Sequence, residues 1–273
     1  RKINPRYLPK TAYFRSDSDW LSVNRTLADL KINFPIIIKP DVGERGSQVE
    51  KVNNAEDLRR YLEANTESFI IQEFLTFPLE LGVLFYRIPG TDKKGITSVV
   101  IKEFLTVTGD GKSTLLQLIR ANERAHLQLQ DLKKRFADEM EMVLPKGEQK
   151  LLQPIGNHCK GTKFLSGQHI INEQLVTVFD EIASTIEGFN FGRFDLKVSS
   201  VEDLMKGENI RIMELNGVTS EPGHIYDPKL NLLRAYIDVA SNMKMMFRVS
   251  QQSRKLGARV TPAPEMLRLI RHH

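Results

Sequence analysis

The alternation of apolar and polar positions divides the chain into short strands and amphipathic helices. Residues 34–40, Phe-Pro-Ile-Ile-Ile-Lys-Pro, give a buried-strand signal bounded by prolines. A glycine-containing loop, 41–48, separates it from a second strand at 49–52. Asn54 then caps a helix over 55–64, with Glu56 and Asp57 suited to its first turn. Residues 68–74 and 80–87 are strand-like, and 98–107 is a long apolar run that returns after the turn at 89–95. The pattern predicts a helix over 115–138 with a break near Arg120. Asn172 precedes a helix over 175–187, 192–198 and 210–216 are apolar strands, and 230–247 is a final helix of mixed face. The Pro-containing start reads as irregular. So does 145–167, where Pro145, Gly147, Pro154, Gly156, Gly161 and Gly167 mark a long functional loop. No repeat or low-complexity segment interrupts the series. Mixed elements with antiparallel pairs make the fold class α+β.

Composition narrows the functions. A chain of 273 residues, 41% hydrophobic and 27% charged, buries a substantial core. The net charge of +5 comes from 39 basic residues against 34 acidic ones, scattered along the chain. The densest basic run, Lys133-Lys134-Arg135, lies in a helical stretch beside Asp131, Asp138 and Glu139, so it reads as a solvated helix face. No nucleic-acid partner is expected. No apolar run approaches the roughly 20 residues that cross a bilayer, and the start lacks a signal-peptide core, so no membrane partner is expected either. A single cysteine, Cys159, excludes an internal disulfide and fits a reducing cytoplasm. Both ends, Arg1 and Arg271-His272-His273, read as trimmed, and the two histidines receive no function.

The chemistry concentrates in the strand pair 192–198 and 210–216. Period-two alternation puts Glu214 and Asn216 on one face while Leu215 turns to the core, and pairing of the two strands brings in Asp195. Two carboxylates and a carboxamide are hard oxygen donors that suit magnesium bridging nucleotide phosphates. Arg193, two residues before Asp195, offers a fixed fork of donors to phosphate. Lys39 ends an apolar strand next to the loop 43–47, whose Gly46 and Ser47 provide flexible backbone amides for the same phosphates. The segment Glu73-Phe74-Leu75 ends a strand whose backbone can read an adenine edge, and Glu80 lies within reach of ribose hydroxyls. Gly109-Asp110-Gly111-Lys112-Ser113-Thr114 contains the Gly-Lys-Ser core of a P-loop. That motif requires glycine where Thr106 stands, so the segment is a strand-to-helix turn with Ser113 as the expected cap. His158 beside Cys159 is given a loop role, His224 reads either as a substrate contact or as an exposed loop histidine, and Trp20 and 243–246 read as packing.

Taken together these residues resemble the ATP-grasp superfamily, near its D-alanine–D-alanine ligase branch, over about residues 34–228. The matching segments are 34–40 with Gly46 and Ser47, Glu73-Phe74-Leu75 with Glu80, and Arg193-Phe194-Asp195 with Glu214-Leu215-Asn216 and Pro222-Gly223. Residues 109–119 are similar to a loop of cyanophycin-synthetase-like members. The resemblance implies two α+β lobes with mainly antiparallel sheets enclosing ATP. On that reading 1–30 is a lead-in, 31–76 the small lobe, 77–250 the large lobe with the metal site, and 251–273 a tail. It also implies that Asp195, Glu214 and Asn216 hold magnesium, with manganese as a substitute, and that Lys39, Gly46, Ser47, Glu73, Phe74, Leu75 and Glu80 bind ATP. Arg193 and the amide of Gly223 would steady an oxyanion, and Lys160 or Lys163 would reach the γ-phosphate. The family's upstream phosphate lysine has only Lys2 or Lys10 to fill its place. The implied reaction joins a small-molecule carboxylate to an amine, an amino acid or peptide, through an acylphosphate. A homodimer is left open, and the alternative function is a non-catalytic ATP-binding module.

Overall fold

The computed structural model describes residues 3–41, 49–154, 156, 161–262, 264–266 and 268. The expected α+β class is what the structure shows. Two antiparallel sheets carry most of the chain. The first has strands β1 (Thr11–Phe14), β2 (Ile36–Pro40), β3 (Glu50–Val52) and β4 (Phe69–Glu73) in the order β1-β4-β2-β3. One face of this sheet buries Ile36, Ile38, Phe69 and Ile71. Helices α1 (Trp20–Asp29) and α2 (Ala55–Ala64) cover it with Val23, Leu27 and Leu58. Asn54 caps α2 as expected, its side chain accepting from the Asp57 amide.

The second sheet runs β11 (Ile210–Asn216), β10 (Phe191–Val198), β5 (Leu79–Arg87), β6 (Lys94–Glu103), β9 (Lys163–Ser166). Its core face presents Leu81, Val83, Phe85, Val99, Phe194, Leu196 and Ile212. Helix α6 (Glu173–Ser184) packs Leu175, Phe179 and Ile182 against them. A half-buried antiparallel sheet requires this separation of apolar and polar faces, and it leaves every second residue of these strands facing away from the core. α7 (Val201–Lys206) joins β10 to β11, and the closing helix α8 runs from Leu232 to Lys255, well past the expected end at residue 247.

Between β6 and β9 lies a small helical unit with its own core of Leu105, Val107, Leu115, Ile119 and Leu132. It contains the two-stranded pair β7 (Thr106–Thr108) and β8 (Gln149–Leu151), with helices α3 (Leu115–Ala121), α4 (Glu123–His126) and α5 (Leu129–Arg135). The expected break near Arg120 falls at Asn122, and a second separates α4 from α5 at 127–128. The Asn122 side chain accepts from the amides of Arg124 and Ala125, so it starts a new helix where the previous one ends. Thr114, not Ser113, caps α3. Its hydroxyl accepts from the Gln117 amide and the Gln117 side chain answers, a capping box. Ser113 instead bonds Asp110, whose carboxyl is held at about 2 by the Ser113 and Lys112 donors. Two further expectations need correction. The start of the chain contains β1 and α1, and the supposed loop 145–167 contains β8 and β9.

Candidate active site

The polar face of the second sheet is assembled by strand register. On β10, Arg193, Asp195 and Lys197 alternate with the core residues Phe194, Leu196 and Val198. Asp195 lies opposite Glu214 on one side and Gly82 on the other, Arg193 lies opposite Asn216, and Lys197 lies opposite Glu80. The register shifts between Asp195 and Leu196. Lys102 on β6 comes within 3.1 Å of Glu80, and on the neighbouring strand it lies opposite Phe164. One row of side chains thus crosses all five strands. Glycine at position 82 makes room for it, because a Cβ there would sit 3.0 Å from Asp195 Oδ1 and 2.8 Å from Val100.

Asp195 is buried at the centre of the row. Arg193 Nε donates to Oδ1 at 2.8 Å and Nη2 to Oδ2 at 3.1 Å, the Asn216 amide donates to Oδ2 at 3.3 Å, and Lys102 Nζ is 3.7 Å away. Burial on its own would lower the Arg193 pKa. The charges of Asp195, Glu214 and Glu221 more than offset it and raise the guanidinium above its ordinary value. Lys102 follows the same pattern, with burial opposed by Asp195 and Glu80, and stays firmly protonated. Its side chain is only 8% exposed. The sequence reading overlooked Lys102 because it sits in the apolar run Val99-Val100-Ile101. A lysine inside such a run, on the same strand face as Val100, was the available signal.

The remaining expected residues are distributed as follows. Lys39, on β2 of the first sheet, is half-buried. Burial lowers its pKa, and the partial counterweight is the charge of Glu214 on the second sheet. Glu214 is exposed on β11. Glu80 is buried between Lys102 and Lys197, the latter at 3.9 Å, and Gly156 presses on it so closely that a Cβ there would fall 2.1 Å from Oε1. Burial lowers the pKa of Lys197, against the pull of Glu80. In the hinge segment, the Glu73 carboxylate accepts from the Lys10 amide at 3.0 Å, Phe74 lies under the Lys51 ammonium at 4.4 Å, and the Leu75 carbonyl accepts from Lys197 at 3.4 Å. Lys10 spends its own ammonium on the Lys31 carbonyl at 2.9 Å. Lys163 reaches Glu103 at 3.4 Å. Gly46, Ser47, Lys160, Lys2, His158 and Cys159 lie outside the described residues.

His224 is neither an exposed loop residue nor positioned as a substrate contact. It is 2% exposed, with Nδ1 2.8 Å from Ser98 Oγ and Nε2 3.2 Å from Asp238. The order serine, histidine, aspartate is that of a hydrolytic triad, but Ser98 is 1% exposed and no substrate reaches its oxygen. The three residues instead pin the Gly223 turn between β6 and α8. Trp20 packs against the first core as expected, whereas Met243 is exposed on α8.

Among the described residues no group of three or more His, Cys, Asp or Glu side chains is arranged around a metal position. The donor set Asp195, Glu214 and Asn216 has the hard oxygen chemistry that magnesium takes with several retained waters, so these residues fit the ion. None of the helices among the described residues is long and apolar enough to cross a membrane.

No protein-family model and no curated protein sequence matches the chain. Solved structures do. D-alanine–D-alanine ligase from Bacillus anthracis, complexed with ATP, superposes with a TM-score of 0.50 at 14% identity, covering 92% of this chain and 64% of that one. A bifunctional glutathione synthetase from Pasteurella multocida aligns at 0.44 and 16% identity over 88% of this chain and 34% of its own. The VanG D-Ala:D-Ser ligase from Enterococcus faecalis aligns at 0.46 and 14%, over 90% and 56%. The chain thus spans between one-third and two-thirds of the length of these structures. The first superposition carries the fold assignment, and the fold is that of the ATP-grasp enzymes.

Proposed function

We propose that the protein is an ATP-dependent carboxylate–amine ligase that forms an amide through an acylphosphate. The observation that carries the reading is the row Asn216, Glu214, Asp195, Arg193 and Lys102 on one sheet, with Lys39 on the other within the electrostatic influence of Glu214. Two acids and three cations have the composition of a triphosphate site, since phosphoryl transfer needs positioned charge and no protein nucleophile. Asp195, Glu214 and Asn216 would hold magnesium, which neutralises charge developing on the transferred phosphoryl group.

The chain's own groups would act in two stages. Lys39 and Lys102 bind the β- and γ-phosphates from opposite walls, with Glu80 holding the Lys102 ammonium in place. Gly46 and Ser47 would donate backbone amides to the phosphates, and Glu73, Phe74 and Leu75 would meet the base. A substrate carboxylate oxygen attacks the γ-phosphorus, the bond to the ADP oxygen breaks, and ADP leaves. The substrate amine then attacks the acyl carbon. Negative charge collects on the carbonyl oxygen, where Arg193 and the Gly223 amide donate to it, and phosphate departs as the amine loses its proton. The buried His224–Ser98 contact keeps Gly223 against Val100 for this purpose.

Calorimetric titration with MgATP and an assay of amine-dependent phosphate release test the reading. Asp195→Asn and Glu214→Gln are each expected to lower release at least about 100-fold, the size of a lost transition-state contact, and the variant at the exposed Glu214 should keep its melting temperature nearly unchanged. Turnover at the wild-type rate in either variant rejects the metal assignment. Tight MgATP binding without release for any amine would leave a nucleotide-binding module.

A further inference from the structure

The two sides of helix α8 differ sharply in burial. Asn242 and Val249, seven residues apart, are buried against the second sheet, where Thr97 donates to the Asn242 side-chain oxygen at 2.9 Å and Val249 packs with Leu84 and Phe191. His224 adds a contact from the Gly223 turn to Asp238 at 3.2 Å. The helix is therefore fixed along one side. Its other side is apolar and open. Leu233, Tyr236, Ile237, Met243 and Phe247 are 51–70% exposed, and Ala240 in their middle is exposed as well. Spacings of three and four residues put all six on one stripe, roughly 21 Å long at about 1.5 Å per residue.

The stripe is symmetric about Ala240. Ile237 and Met243 stand three residues to either side, Tyr236 and Lys244 four, and Leu233 and Phe247 seven. A second α8 running antiparallel, with a two-fold axis at Ala240, meets the first with Leu233 against Phe247, Ile237 against Met243, and the Lys244 ammonium over the Tyr236 ring, each contact made twice. The small side chain of Ala240 lets the helices approach at the axis. The charges of the helix select the same direction. In its first half Arg234 is paired with Asp238 at 3.1 Å, and the remaining charges, Lys244, Arg248, Arg254 and Lys255, all lie in the second half. A parallel pair would stack these four cations on their own copies, whereas an antiparallel pair sets them over the half without net charge.

The area is sufficient. At this exposure each of the five large apolar side chains offers on the order of 100 Å², about 500 Å² in all. That lies near the upper end of the apolar patch a monomer leaves open, and with the Lys244 stem and the flanking turns it reaches the roughly 600 Å² per partner at which specific interfaces begin. We propose that this stripe is a dimer interface whose occupant is a second copy of this chain, its α8 lying antiparallel across the first. The contact is isologous and closes at two copies. It uses none of the groups assigned to the nucleotide, so it stands independently of the ligase reading.

Sedimentation at tens of micromolar protein, where an interface of this modest size associates, should give twice the chain mass of 31.2 kDa. Ala240→Glu sets two carboxylates at the axis and should raise the dissociation constant at least about a hundredfold, with the helix content unchanged by circular dichroism. Phe247→Ser should also yield monomer, whereas Ser241→Glu, exposed on the same helix but off the stripe, should stay dimeric. Direction and register are read by cross-linking after Cys159→Ser removes the chain's one cysteine. Ala240→Cys should then oxidise to a disulfide with its own copy. Leu233→Cys should cross-link to Phe247→Cys in a mixture but not to itself, because the two copies of residue 233 lie roughly 21 Å apart. Monomer at these concentrations, a dimer indifferent to both Ala240→Glu and Phe247→Ser, or cross-linking of Leu233→Cys to itself in preference to Phe247→Cys would each overturn the proposal.

Discussion

Lys102 shows how a single residue ties stability to the site. Its ammonium lies between Glu80 at 3.1 Å and Asp195 at 3.7 Å, and all three side chains are at least 92% removed from solvent. Such a cluster is not a net source of stability by itself, since desolvating each ion costs about as much as the pairing returns. Removing one member is a different matter. Lys102→Met leaves two buried carboxylates short of a partner and is expected to cost about 3–5 kcal/mol in denaturant unfolding. Lys102→Met with Glu80→Gln should cost clearly less than the sum of the single changes, because the second substitution removes one of the stranded charges. Additive losses would show that the pair is not coupled. The Lys102 pKa is raised in the fold, so its stabilising contribution is complete below the ordinary lysine value of 10.5 and fades only as pH climbs through the higher folded value. No change of stability near neutral pH should trace to this group.

At the scale of the element, the site depends on alternation in antiparallel strands and on one missing side chain. Gly82 of β5 lies opposite Asp195, and a methyl there would meet Val100 at 2.8 Å and Asp195 Oδ1 at 3.0 Å. Gly82→Ala is expected to cost about 1–3 kcal/mol through overpacking, and to reduce phosphate release by displacing Asp195. Gly217→Ala is the control, since nothing lies within 4 Å of its added carbon, and it should stay near wild type in both measurements. The strand pair bearing Asp195 and Glu214 was legible in the sequence because two apolar runs with period-two polar positions leave little choice of face. β9 was not legible. Its four residues are all partly buried at a sheet edge, so Lys163 and Phe164 show no alternation within a stretch rich in glycine and proline. β1 and α1 escaped for a related reason: four residues carry too short a pattern, and only Val23 and Leu27 of α1 are buried. In the helical run 115–138 the break near Arg120 was legible and falls at Asn122, which caps one helix by its side chain while ending another, whereas the second break at 127–128 carries no sequence mark. Lys102 was hidden because apolar neighbours along the strand say nothing of the acids on β5 and β10 that surround it in space.

Over the whole molecule, the proposed nucleotide site draws on both sheets. Lys39 belongs to one and Glu214 to the other, and their mutual influence is the electrostatic link between the walls. A ligand that bridges the walls stabilises both halves, by about 2.7 kcal/mol at a hundredfold excess over its dissociation constant. For a chain of this size that corresponds to a rise of roughly 5 °C or more in melting temperature with MgATP. Lys39→Gln and Glu214→Gln should each shrink the rise, and an undiminished shift in both would mean that the nucleotide does not lie between these sheets. The pH dependence follows from the lowered pKa of Lys39. Burial favours the neutral amine, so the free protein loses that charge at a lower pH than an ordinary lysine does. Bound phosphate favours the ammonium, and binding must then take up a proton as the pH rises. MgATP affinity should therefore start to fall at a lower pH than the ordinary lysine value of 10.5 would set. Lys39→Arg keeps its charge over this rise in pH and should flatten the curve, even if its geometry weakens binding overall. A wild-type curve that stays flat up to the ordinary lysine value of 10.5, or an equal fall in the arginine variant, would remove Lys39 from contact with the phosphates.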